Sequence, residues 1–275
     1  MKIAWNEIKY QPKKFILIEV LIVIMMFMVI FLSGLSNGLG RIITAQIENF
    51  GEVHYILSKD SQGVIPFSNL TNQNVTEIEA LKLEDSFGLV IQRSSLSKED
   101  EDNNQDVTFF AIDQLNLVSS KVETMDYSLE KLGNQEVILD ESYKEKGIAV
   151  GDMIQDKASK ENLTVVSFAK NAKYGHSTIG FVSSKTYEAM RQKNDPTYTW
   201  KPQTIVTSQA EDVDQLSNQL MVLQPKQLIK KIPGYIAENM TLTMITWVLL
   251  VASSAVLGVF FYILTLQKLQ QFGVL

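Results

Sequence analysis

The chain has 275 residues, of which 45% are hydrophobic, a formal net charge of −6 and no cysteine. The lack of cysteine excludes a disulfide framework and thiolate chemistry. The acidic balance argues against nucleic acid as a partner and against charge-driven docking on anionic lipid.

The first predicted element is a membrane-spanning helix near the N-terminus. Between residues 15 and 35 the only charged residue is Glu19, and this run is long enough to cross a hydrocarbon core of about 30 Å. A cleaved signal peptide is the alternative, but its apolar region would be shorter, about 7–15 residues. We therefore predict a cytoplasmic N-terminal segment over residues 1–14 and a transmembrane helix over residues 15–37.

The end of this span is rich in small residues, with the sequence FLSGLSNGLGR. Gly34 and Gly38 have the small-xxx-small spacing that lets two helices approach closely in lipid. At about 100° per residue, Arg41, Ala45 and Glu48 fall on the same helix face. One interpretation is a dimer seam that ends in a solvated salt bridge. The other is a crevice between two copies of the helix, open to the outer leaflet.

Three methionines, Met25, Met26 and Met28, lie deeper in the same span. A thioether fills apolar space and is also a ligand of haem iron. Apolar filling is the preferred interpretation. Met28 lies about 120° round the helix from Gly34, which argues against its lying on the glycine face.

After the span, residues 38–50 keep a helical pattern and are predicted as a helical stalk. Residues 51–223 mix alternating apolar segments with amphipathic ones, which predicts an α+β domain. Segment 135–155 is predicted as a strand, a short helix, a glycine turn and a second strand, and the polar tract 97–106 as a solvated hairpin loop. The other predicted strands are 52–58, 87–93, 107–113, 162–170, 178–184 and 203–208, and the predicted helices are 74–82, 185–192 and 213–223.

A second transmembrane helix is predicted over residues 240–266, which contain no charged residue. It follows a predicted return stalk over residues 224–239, in which Pro233-Gly234 redirects the chain. Tyr235 and Glu238 then lie one turn apart at the outer interface, where a carboxylate beside lipid is costly.

The distribution of charge predicts the topology of the chain. Four lysines precede the first span and Lys268 follows the second, so the positive-inside rule places both termini, including residues 267–275, in the cytoplasm. Because residues 1–37 carry +2 and residues 239–275 carry +1, the segment between them carries −9. The predicted fold class is therefore an α+β membrane protein, with two transmembrane helices and helical stalks flanking a large extracellular domain.

The sequence contains no signature of an enzyme. A phosphate-binding loop needs a glycine-rich turn that ends in Lys-Ser or Lys-Thr, and an α/β-hydrolase needs Gly-x-Ser-x-Gly; neither occurs. His54 and His176, the two histidines, have no cysteine or second histidine at metal-ligand spacing. We interpret both as ordinary surface or core residues.

The layout of a basic N-terminus, a span, a large outer domain and a second span resembles the MacB/FtsX-like class of ABC transporter permeases. The segment VILDESYKEKGIAVGDMI looks like the outer-domain segment of that class. The segments FLSGLSNGLGR, IPGY and MFMVIFLSGL look like the HrtB-like haem-efflux permeases of Gram-positive bacteria. Such permeases have four spans, so we expect an N-terminal fragment whose last residues enter a cytoplasmic coupling segment.

The resemblance implies a homodimer in the cell membrane, in contact with lipid and paired with a separate cytoplasmic ABC ATPase. Haem is then the substrate and not a cofactor, and it enters from the outer leaflet between the first helices of the dimer. The residues expected to bind it are Glu48, Tyr235, Glu238, Met28 and Arg41, the last through a propionate. Gly34 and Gly38 are expected to pack the helices together, with no catalytic residue and no metal site beyond ligands of haem iron.

Two alternatives remain open at this point. One is a MacB-like exporter of a peptide, lipopeptide or antibiotic, which would not need the carboxylate and phenol groups. The other is an FtsX-like signalling protein that regulates a cell-wall hydrolase, which predicts a large apolar docking patch on the outer domain.

Overall fold

The structure is a computed structural model that describes residues 9, 12–98, 104–209 and 216–272. The chain divides into two compact units, Met1–Gly40 with Ala237–Leu275, and Arg41–Ile236. We call the first the helical unit and the second the sheet domain. The α+β class is confirmed, and the finer domain boundaries given above stay predictions.

The elements follow one another in a mixed order. The helices are α1 (Pro12–Asn49), α2 (Asn72–Ala80), α3 (Leu115–Val118), α4 (Ser184–Gln192), α5 (Pro225–Ile229) and α6 (Tyr235–Phe272). The strands are β1 (His54–Ser58), β2 (Ser86–Lys98), β3 (Gln105–Ile112), β4 (Glu136–Asp140), β5 (Met153–Asp156), β6 (Asn162–Ala169), β7 (Lys173–Tyr174), β8 (Ser177–Ser183), β9 (Thr204–Thr207) and β10 (Leu220–Leu223). Single 3-10 turns lie at Lys59–Ser61, Ile65–Phe67, Ser119–Lys121, Leu129–Lys131 and Glu141–Lys144.

The helical unit contains most of α1 and α6, each of which is 38 residues long. Both helices are long and apolar enough to cross a membrane. Large apolar side chains such as Ile30, Phe31, Met244 and Trp247 are exposed along them. A helix that is apolar on all sides is typical of one surrounded by lipid or other helices, so both predicted spans are confirmed as long apolar helices.

The sheet domain is built on one mixed sheet. The strand order is β10-β1-β9-β2-β3-β8-β4-β6-β5, with β7 paired to β8. The 13-residue β2 pairs with β9 and β3 and then, at its end, with β5, where Leu96 lies opposite Asp156. This last pairing closes β2, β3, β8, β4, β6 and β5 into a ring, which encloses buried side chains such as Val107, Phe109, Leu139 and Val165.

A second core lies where α1 meets the sheet. Ile43, Ile47 and Phe50 are buried against β-strand residues that include Tyr55 and Phe110. The end of α1 is therefore part of the sheet domain and is packed by its core. This arrangement fixes the position and direction of the residues that follow the helix.

Most of the predicted elements are confirmed within a few residues, but one is wrong. Residues 220–223, predicted as the end of a helix, form strand β10, which pairs with β1 and places Ile56 opposite Val222. The apolar residues Leu216, Leu220 and Leu223 have helical spacing, but hydrogen bonds to a strand far away in the sequence decide the conformation. Residues 213–215 of that predicted helix, and 99–103 of the predicted hairpin loop, lie outside the described residues.

Candidate functional site

The last turn of α1 is fixed in the sheet domain and presents Glu48 at its end. Residues 43–47 are buried, and the backbone N–H of Gly175 donates to the carbonyl of Ile43 at 3.0 Å. The N–H of Gly51 donates to the carbonyl of Glu48 at 3.0 Å, and Gly51 has a φ of +78°. This left-handed conformation favours glycine and ends the helix, leaving Glu48 exposed.

Glu48 lines a cleft of about 530 Å³, which we call the α1–α5 cleft. Its lining residues are Glu48, Gly51, Glu52, Val53, His54, Gln224, Pro225, Lys226 and Ile229. The cleft exists because β1 and β10 are antiparallel, with Tyr55 opposite Leu223, so the start of β1 and the residues after β10 meet at one edge of the sheet.

The α1–α5 cleft has an apolar floor and a charged rim. Val53 and Ile229 are 2% and 7% exposed, whereas Glu48, Glu52 and Lys226 are exposed at the rim. The hydroxyl of Thr44 donates to Oε1 of Glu48 at 2.7 Å, which orients that carboxylate. Such a surface suits a ligand that has both an apolar body and charged groups.

His54 is a half-buried residue of the cleft. Its Nδ1 atom is buried and has no hydrogen-bond partner among the described residues. Nothing in the sequence singles out His54, Glu52 or Lys226 as partners, because Glu52 lies 171 positions before the end of β10 and no local motif connects them. In the described part of the chain, no group of three or more His, Cys, Asp or Glu residues could hold a metal ion.

Of the three predicted haem-binding residues that belong to the sheet domain, one lines the α1–α5 cleft. Among the described residues that line it, Glu48 is present, but Arg41 and Tyr235 are not. Arg41 is exposed on α1. Tyr235, the first residue of α6, is half-buried and packs against the core, and it follows Gly234, which has a φ of +87°.

The remaining predicted residues belong to the helical unit. Among the described residues, a Cβ added to Gly34 or Gly38 would meet no atom within 4 Å, so this part of α1 has an open surface. Met28 is 39% exposed, and Glu238 is half-buried in the first turn of α6. Within this unit, α1 and α6 border a shallow, mostly apolar groove of about 270 Å³.

The predicted face of α1 does not stay open along its length. Gly34, Gly38, Arg41 and Glu48 are exposed, whereas Ala45 between them is 6% exposed. This helix face is therefore buried for one turn at Ala45 and is exposed again at Glu48. The site assignment as a whole stays a proposal.

Two polar groups are buried near the end of α1. The side chain of Gln46 is fully buried, and neither of its amide atoms has a hydrogen-bond partner among the described residues. The Tyr55 hydroxyl is likewise buried without a partner in the described chain. Burial, together with the neighbouring Tyr174, raises the pKa of Tyr55 well above its ordinary value of 10.0, so this phenol stays neutral.

Replacing Gln46 with methionine will stabilise the sheet domain by about 1–3 kcal/mol, because an unsatisfied buried amide costs about this much and methionine has a similar length. Thermal unfolding of the full chain in lipid nanodiscs measures the change. The control is Gln73→Met, at an exposed position on α2, which should leave the midpoint unchanged. A midpoint lowered only in Gln46→Met would show that the amide is satisfied.

Comparisons with known proteins relate the chain to permeases. It is 26% identical over 276 residues to the hemin transport system permease protein HrtB of Staphylococcus haemolyticus, covering all of this chain and 75% of that protein. The HrtB protein of Staphylococcus epidermidis is also 26% identical over 279 residues, with the same coverage. No protein-family model matches the chain.

The chain was also compared with solved structures, and two partial matches are to domains of transport proteins. The periplasmic region of MacB from Actinobacillus actinomycetemcomitans has a TM-score of 0.46 and 12% identity, covering 67% of this chain and 94% of that one. The extracellular domain of the transporter YknZ from Gram-positive bacteria has a TM-score of 0.41 and 12% identity, covering 62% of this chain and 99% of that one. The resemblance predicted from the sequence is confirmed by the curated homologues: along its whole length, the chain is similar to HrtB permeases of hemin transport systems.

Proposed function

We propose that the chain is the permease subunit of an ABC-type efflux system in the cell membrane of a Gram-positive bacterium, and that its cargo is haem. The observation that carries the proposal is the similarity over the full chain to permeases named for hemin transport. A permease of this kind is not itself an enzyme, and a separate cytoplasmic ATPase subunit supplies the energy. The sheet domain is then extracellular, between two spans.

Haem reaches the protein from the outer leaflet, between the α1 helices of a homodimer. Haem is a flat amphiphile that partitions into lipid, so a lateral entrance in the membrane suits it. The open surface at Gly34 and Gly38 supports the proposal, since small residues let two helices approach closely in lipid. Residues beyond these glycines then border a slot between the two copies.

The proposed haem ligands and contacts are Glu48, Tyr235, Glu238 and Met28, with Arg41 for a propionate. They supply phenolate and thioether groups, which are ligand types of haem iron, and carboxylates, which are ligands of iron more generally. Arg41 adds a guanidinium that pairs well with a carboxylate. Glu48 has the most support, because Thr44 orients its carboxylate and it remains exposed at the end of a fixed helix.

Replacing Glu48 with alanine will weaken the haem absorbance band of the purified full chain and will lower the haem tolerance of cells that depend on it. The physical reason is the loss of an oriented carboxylate from the proposed binding site. The spectrum of the protein purified with added hemin, and growth at graded hemin concentrations, measure the two effects. Glu79→Ala, at an exposed carboxylate on α2, is the matched control and should change neither.

An unchanged spectrum together with unchanged tolerance in Glu48→Ala and Tyr235→Phe would instead favour export of a peptide, lipopeptide or antibiotic. The signalling alternative has less support from the structure. In the described part of the sheet domain, the large apolar side chains exposed before α6 are Phe67, Val150 and Met153. Three such residues are few for a docking patch of several hundred Å².

A further inference from the structure

We infer that the α1–α5 cleft is a porphyrin-binding site of the sheet domain, in which the imidazole of His54 is an axial ligand of haem iron. The inference rests on the proposed function and adds a second binding place to it. This place is built from the end of α1, the start of β1 and helix α5, and it does not depend on Met28, Tyr235 or Glu238.

The dimensions and surface of the cleft suit an amphiphilic ring. Its volume of about 530 Å³ lies within the range of about 300–1,000 Å³ that is usual for small-molecule and cofactor sites. Val53 and Ile229 form a buried apolar floor on which a porphyrin face can lie. The charged side chains stand at the rim, where polar substituents of a bound ring would emerge.

The charges at the rim favour one orientation of the ring. Lys226 is an exposed cation of the lining, and an ammonium group makes a strong charge-assisted hydrogen bond with a propionate. Glu48 and Glu52 repel propionates from their own part of the rim. The propionate edge of haem is therefore expected beside Lys226.

His54 is the residue of the lining that is best suited to bind iron. A neutral imidazole is a common axial ligand of haem iron. No hydrogen bond to another described residue holds Nδ1 of this ring, so a rotation that presents a ring nitrogen to a ligand breaks no bond at that atom. The ring already lines the cleft and is half-buried, which limits its access to bulk water.

The chemistry of the cleft points to a porphyrin and not to a bare metal ion. The described residues contain no group of three or more His, Cys, Asp or Glu side chains that could hold such an ion. A porphyrin supplies the equatorial nitrogens itself, so that one protein imidazole is enough to complete a site. A single histidine beside an apolar floor and a cation therefore fits haem.

The presence of only two histidines in the chain makes the inference testable with a spectroscopic signature. Untagged full chain, labelled with ¹⁵N only in histidine, is placed in lipid nanodiscs and loaded with ferric hemin. Pulsed electron paramagnetic resonance then detects whether a ¹⁵N nucleus is bound to the iron. We expect this coupling in the original protein and in His176→Ala, and its loss in His54→Ala and in the more conservative His54→Gln.

A third variant tests the orientation of the ring. Lys226→Met should weaken hemin binding by about tenfold through the loss of one charged hydrogen bond, while the ¹⁵N coupling from His54 stays. An equal affinity would overturn the role assigned to Lys226.

The outcomes separate this inference from the proposed function. Hemin bound without ¹⁵N coupling, or coupling that persists in both His54 variants, overturns the cleft site and leaves haem transport standing. No hemin bound by the original protein counts against the proposed function itself.

Discussion

Replacing Phe110 with alanine will destabilise the sheet domain by about 3–5 kcal/mol, the usual cost of removing a buried phenylalanine. Phe110 on β3 is fully buried. The centroid of its ring lies 5.5 Å from that of Tyr174, 6.1 Å from that of Phe181 and 6.4 Å from that of Phe50. Because Phe50 directly follows α1, the cavity would open at the junction between that helix and the sheet.

Thermal unfolding of the full chain in nanodiscs should show the effect as a decrease of about 6–20 °C in the midpoint of the sheet domain. The matched control is Phe67→Ala, because Phe67 belongs to the same domain and is 71% exposed. Its effect should stay within about 0.5 kcal/mol. Equal decreases of the unfolding midpoint in the two variants would mean that the Phe110 ring does not contribute more to the packing of this core than an exposed phenylalanine does.

The elements that could be predicted from the sequence are those whose conformation is decided locally. Helix α2 begins at Asn72. The Thr71 hydroxyl accepts a hydrogen bond from the backbone N–H of Asn74, and Oδ1 of Asn74 accepts one from the backbone N–H of Thr71. Such caps, with periodic apolar residues, determine short helices within a few residues of sequence. The short apolar runs in β3 and β8, which are rich in β-branched and aromatic residues, likewise indicate strands from a few neighbouring residues.

Two of the elements that were missed depend on pairing between distant segments. The second half of β2 is polar around Ser94 and Ser97, and it was not predicted as a strand. It continues because β5 supplies hydrogen bonds at Leu96–Lys98 from residues 154–156. Strand β10 is the same case, since its partner β1 lies more than 160 residues earlier.

The error at β10 also explains why the α1–α5 cleft could not be foreseen. With residues 220–223 assigned to a helix, nothing places Lys226 beside the start of β1. The antiparallel pairing of β1 and β10 brings His54 and Lys226 to one edge. Glu48 could be selected as a site residue from its position on the helix face alone. His54 becomes a candidate only once β1 is known to pair with β10, because that pairing forms the cleft.

The double variant Gly34→Leu/Gly38→Leu will abolish haem efflux and reduce haem tolerance to that of cells without the permease. Each leucine adds a side chain where the two α1 backbones are proposed to approach, so the two helices of the proposed dimer can no longer pack closely. Leucine is more apolar than glycine, so insertion of the span into the membrane is not weakened. A loss of transport would therefore come from helix packing and not from failed insertion.

The control for this variant is Gly40→Leu. Gly40 has the same open space around an added Cβ, but it lies about 120° round the helix from Gly34, so its substitution should preserve haem tolerance. Because the chain has no cysteine, Gly38→Cys offers an independent measurement: a disulfide-linked dimer should form in membranes, while Gly40→Cys stays monomeric. Tolerance retained by the double leucine variant, with no crosslink at position 38, would contradict both the proposed glycine contact and the proposed entrance for haem between the α1 helices.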